Sequence, residues 1–148
     1  MKVKYLFFSL LVAAFLTSAM SEDKTLKIGK MAPRIETTAG TNVATDANSE
    51  GKTRVISFWN PKNPASRITN KNLSRQYAEN ADSNVEFISI CTDSDENLMK
   101  EVLRIDGVNP ESNLAYSEVS PKVFQDYGVV ENSRAFVLTP DGRISQIL

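Results

Sequence analysis

Histidine is absent from this sequence, and cysteine occurs once, at Cys91. The first absence removes the usual general base near neutral pH and the commonest metal ligand. The second excludes an intramolecular disulfide and a thiolate zinc cluster. No sign of charge dominates either: 17 basic residues face 18 acidic ones, so nothing marks a nucleic-acid binder. Internal repeats are missing as well. What is present is a chain of 148 residues, 41% hydrophobic and 24% charged, enough for one domain with an ordinary core.

The one long apolar run lies at the start. Lys2 and Lys4 precede Leu6 to Leu16, which is nearly all apolar, and Thr17, Ser18, Ala19 and Ser21 follow. This pattern predicts a signal peptide over residues 1–21, cleaved after Ala19 or Ser21. The run falls short of the roughly 20 residues that a membrane span needs, which favours removal over anchoring. No cysteine near the cleavage point offers a lipid attachment site. Residues 22–148 are then an exported, periplasmic domain with no stable membrane anchor. In such an oxidising compartment an unpaired thiol is tolerable mainly when buried.

The mature chain opens with Leu26-Lys27-Ile28-Gly29-Lys30-Met31-Ala32-Pro33 and a polar stretch. Short edge strands are expected there, around Arg34 to Thr38, with turns at Ala39-Gly40 and Glu50-Gly51. Thr53 to Trp59, rich in β-branched and aromatic residues, predicts a strand. A helix follows, with Ile68, Leu73, Tyr77 and Ala81 on its apolar stripe. Val85 to Cys91 is apolar on both faces, as in a buried parallel strand, and completes a right-handed βαβ unit. The next helix takes Asp93 as N-cap and Glu96 as its capping-box partner, with Leu98, Val102 and Ile105 facing the core. It stops at Gly107. A short helix around Pro121 to Tyr127 precedes a hairpin in which Thr139-Pro140-Asp141-Gly142 joins Arg134–Leu138 to Arg143–Ile147. The order is β-α-β-α-(α)-β-β.

The first strand and helix meet at Phe58-Trp59-Asn60-Pro61-Lys62-Asn63-Pro64-Ala65-Ser66-Arg67. With Ile28-Gly29-x-x-Ala32-Pro33, Tyr127-Gly128-Val129 and Phe136-Val137-Leu138-x-Pro140-Asp141-Gly142-Arg143-Ile144, this junction resembles the exported thioredoxin-like family of the TlpA/ResA type. The AhpC/TSA group is related to it. The resemblance spans nearly all of residues 26 to 148. It implies an α/β thioredoxin-like fold with a central mixed sheet of four to five strands, flanking helices and a C-terminal hairpin.

The resemblance also implies a Cys-x-x-Cys pair where this chain has Asn63 and Ser66, followed by Arg67. It implies a cis-proline where this chain has Ser133, and a final helix beyond Leu148. Thiol–disulfide exchange needs a thiolate at the helix start, where the dipole lowers its pKa. Asn63 forms none, and Ser66 cannot resolve a mixed disulfide. With no histidine to activate it, Ser66 is no nucleophile either. Asn63 and Pro64 do make a good helix start. A cis bond before Ser133 would cost roughly 3–4 kcal/mol, so a trans bond and a reshaped groove are expected.

These features lead to a redox-inactive domain, with no catalytic residue, cofactor or metal, that binds a protein or peptide. Two other readings stay open. Cys91 could serve as the sole thiol of an oxidoreductase or peroxidase, although the carboxylates after it disfavour a thiolate and a buried core position fits it better. The helix start from Asn63 to Arg67 could instead hold a small anion. Asp93, Asp95 and Glu96 could bind Ca²⁺ weakly, but capping explains them more simply.

Overall fold

A computed structural model describes residues 26–44, 51–79, 84–129 and 133–148. The expected signal peptide, its cleavage site and Glu50 lie outside these residues.

The described residues form five strands and three α-helices: β1 (Thr53–Trp59), α1 (Pro64–Leu73), β2 (Val85–Cys91), α2 (Glu96–Asp106), β3 (Asn113–Leu114), α3 (Pro121–Asp126), β4 (Arg134–Leu138) and β5 (Ile144–Ile147). The strands make one mixed sheet in the order β3-β2-β1-β4-β5. β1 pairs in parallel with β2, as the βαβ reading expects, and β2 in parallel with β3. β4 runs antiparallel to β1, and β5 antiparallel to β4. The two-residue β3 has no counterpart in the sequence reading, because two residues cannot display an alternation. The expected edge strands near Arg34 reduce to single bridges, Glu36 to Asn42 and Thr37 to Val119.

Alternation along β1 sends its side chains into two cores. Ile56 and Phe58 meet Val123, Phe124, Tyr127, Phe136 and Leu138 on one face. The rings of Phe58 and Tyr127 lie 4.9 Å apart, and Tyr127 Oη donates to Pro33 O at 2.7 Å, which ties the N-terminal segment to this core. On the other face Trp59 and Cys91 pack with Met99, Val102 and Leu103 of α2, while Val55 and Phe87 pack with Leu73 below α1.

Two helical stripes differ from those expected. Leu73 is buried as expected, but Ile68 is 62% exposed and α1 buries Ser66 and Asn70 instead, continuing through Ser74 in a π-helical turn, Ser74–Glu79. Ile68 stands two residues from both Ser66 and Asn70, about 200° around the helix from each, so burying one set exposes the other. The polar stripe is accommodated because Ser89 Oγ donates to Asn70 Oδ1 at 2.6 Å from the strand beneath. Likewise Ile105 is 59% exposed, and Met99, Val102 and Leu103 form the inner face of α2.

The cap of α2 is Asp95, not Asp93. Asp95 Oδ1 accepts from Leu98 N at 3.0 Å, and Asp93 Oδ1 accepts from Asp95 N, one turn earlier. Gly107 closes the helix at φ 66°, in the left-handed region that glycine enters without penalty.

Candidate functional site

The loop between β1 and α1 is closed upon itself. Asn60 Oδ1 accepts from Lys62 N at 2.8 Å, and Asn63 N donates to Asn60 O at 3.1 Å. Asn63 then caps α1: its Oδ1 accepts from Ser66 N at 3.1 Å and its carbonyl from Arg67 N at 3.0 Å. Pro64, in the first turn, has no N–H to offer. Of the first-turn amides, this leaves that of Ala65 as the one Asn63 does not occupy. The cap read from the sequence is therefore present, and it occupies the Ser66 amide that an anion would also use.

Ser66 is 3% exposed and lies behind this cap. Its Oγ accepts from Asn60 N at 2.7 Å and from Ser133 Oγ at 2.5 Å. The structure thus brings Asn63, Ser66 and Ser133 together, although 67 residues separate the two serines. Asn63 and Ser133 are exposed at the surface, with Ser66 beneath them. The peptide bond into Ser133 involves Asn132, outside the described residues, so the expected trans geometry there is not part of this description.

Arg67 turns away from the helix start. Its Nε and Nη2 reach Asp106 Oδ2 and Oδ1 at 3.0 and 2.7 Å, a bidentate pair joining α1 to the end of α2. Hydrogen bonding to the guanidinium holds the Asp106 carboxyl below its usual pKa. The sequence offered no signal for this partner, which lies 39 residues away.

Cys91 ends β2 opposite Trp59 and is fully buried. Two backbone-directed bonds, from Thr92 N and Thr92 Oγ1 to Trp59 O, hold the adjoining loops together. Above them Lys62 Nζ pairs with Asp93 Oδ2 at 2.8 Å. Burial pushes the thiol pKa up to about 11, the opposite of what a nucleophile requires. Asp93 is held low, chiefly by its hydrogen bond to Lys62. Among the described residues no group of three Asp, Glu, His or Cys side chains could hold a metal ion. Asp93 and Asp95 are engaged in the ion pair and the cap instead.

A model of the AhpC/TSA family matches residues 28–147. No curated protein sequence matches the chain. Solved structures do. A thioredoxin-like protein from Parabacteroides distasonis superposes with a TM-score of 0.71 at 20% identity, covering 82% of this chain and 87% of that one. A thiol:disulfide interchange protein from Bacteroides sp. gives 0.63 at 18% identity, over 82% and 81% of the two chains. A secreted Mycobacterium tuberculosis disulfide oxidoreductase gives 0.57 at 24% identity, over 78% and 81%. The shared fold is thioredoxin-like.

Proposed function

This chain belongs to the AhpC/TSA family, and from that premise we propose that it is a redox-inactive, exported thioredoxin-like domain that binds a protein or peptide. One observation carries the reading. Where the resemblance implies two exchanging sulfurs and a cis-proline, the Asn63 side chain accepts from the Ser66 backbone N–H, and the Ser66 hydroxyl accepts from the Ser133 hydroxyl and the Asn60 backbone N–H. None of these groups can cycle between thiol and disulfide. The surface above them remains polar and open, with Lys62, Asn63, Ser133 and Arg134 all exposed. That surface is where a partner is expected to sit.

Export rests on the signal-like N-terminus of the sequence, and the secreted M. tuberculosis structure is compatible with it. Among the described residues no helix is long and apolar enough to cross a membrane. The anion reading loses support from the engagement of Arg67 by Asp106, and the one-cysteine enzyme from the burial of Cys91.

The test has two parts. Thiol-dependent reductase and peroxidase rates are measured for the wild type and for Cys91→Ser, with background rates expected in both. A photo-crosslinker placed at Ser133 is expected to give a discrete adduct in an extract of the exported fraction, and one placed at Ile105 on the neighbouring helix α2 is not. A wild-type rate that disappears in Cys91→Ser would overturn redox inactivity. Indistinguishable crosslinking at the two positions would overturn the partner surface.

A further inference from the structure

The segment before the first bridge of the fold lies along the outer edge of β5. Gly29 N donates to Ile144 O at 2.7 Å, Ile144 N to Lys30 O at 2.9 Å, and Ala32 N to Gly142 O at 2.9 Å. Met31 bridges to Arg143, whose Nη1 donates to Gly29 O at 3.1 Å. The backbone here is pinned, yet its apolar side chains face outward: Ile28 is 67% exposed and Met31 51%. At the far end of β5, Ile147 and Leu148 are also exposed. Desolvating such side chains is favourable only if something covers them.

Charge indicates what would cover them. Lys24, Lys27 and Lys30 follow one another with no acidic residue among them, in a chain whose formal net charge is −1, while Arg34 beyond them pairs with Glu36. Lys27 and Lys30 flank Ile28 and are exposed. Apolar side chains with ammonium groups on either side suit a lipid interface, where the former enter the acyl boundary and the latter stay among phosphates. We infer that the edge formed by Lys27–Met31 beside β5 docks peripherally on an anionic lipid surface. This inference does not depend on the partner reading above.

The experiment uses the full chain in a Cys91→Ser background, labelled with an environment-sensitive fluorophore through Met31→Cys or, as a control, Ile105→Cys. Vesicles are phosphatidylcholine alone or mixed with phosphatidylglycerol. A blue shift at position 31 is expected on the mixed vesicles only, with most of it lost in Lys27→Gln/Lys30→Gln and none at position 105. The surface charge attracts each lysine, so removing two weakens docking by roughly 30-fold. No shift on mixed vesicles, an equal shift on pure phosphatidylcholine, or an equal shift at position 105 overturns the inference. So does a full shift in the double lysine variant, or one produced by polyglutamate without vesicles, which would point to an acidic protein instead.

Discussion

A hydroxyl buried at position 66 has to find partners, and it finds one in the preceding loop and one 67 residues away. Ser66 Oγ serves the Asn60 amide and the Ser133 hydroxyl at once. Ser66→Ala strands a backbone donor in a water-poor place and is expected to cost about 1–3 kcal/mol, read as a lower urea midpoint. Ser133→Ala removes an exposed partner only and is expected to cost less. Equal costs would mean that the Ser66 acceptor role is dispensable. Asn63 was legible as a cap because Asn-Pro before a helical pattern is a local signal. The role of Ser66 was not legible, since Ser133, one of its two donors, lies 67 residues away and is brought to it only by the tertiary fold.

Between elements, the bidentate Arg67–Asp106 pair fastens α1 to the end of α2. The folded Asp106 carboxyl titrates below its unfolded value. Its stabilising contribution is therefore complete above about pH 4 and is lost as the pH falls through the folded value. Asp106→Asn should flatten this part of the acid limb in urea titrations performed across that range, while the wild type steepens. Parallel acid limbs would show that the pair contributes nothing. The helices themselves were readable from periodicity, capping and the Gly107 stop. Their rotation was not, because the reading sought an apolar stripe and α1 buries Ser66 and Asn70 against a strand that offers Ser89.

Across the whole molecule, the single thiol reports on the integrity of the fold. Cys91 lies within the core shared by β1, β2 and α2, and burial raises its pKa to about 11. At pH about 8 its thiolate fraction alone should slow alkylation by roughly two orders of magnitude relative to a free thiol. Burial slows it further, so labelling should track unfolding through a urea series with the same midpoint as circular dichroism. Rapid labelling without denaturant would reveal local opening at the Lys62–Asp93 pair, and Lys62→Met would then accelerate it. The parallel pairing of β1 with β2 and the β4–β5 hairpin were legible from the βαβ spacing and the Pro-Asp-Gly turn, whereas the place of the hairpin beside β1 was not.

The closed loop at the start of α1 also bears on reversibility. Exchanging Asn63 and Ser66 for cysteine would return two sulfurs to the helix start. It would also delete the side-chain cap and replace the acceptor for the Asn60 amide with a weaker one. Position 133 would still lack its proline. Each single substitution is expected to lose stability before any gain in chemistry, so sulfur alone would not install exchange at this helix start.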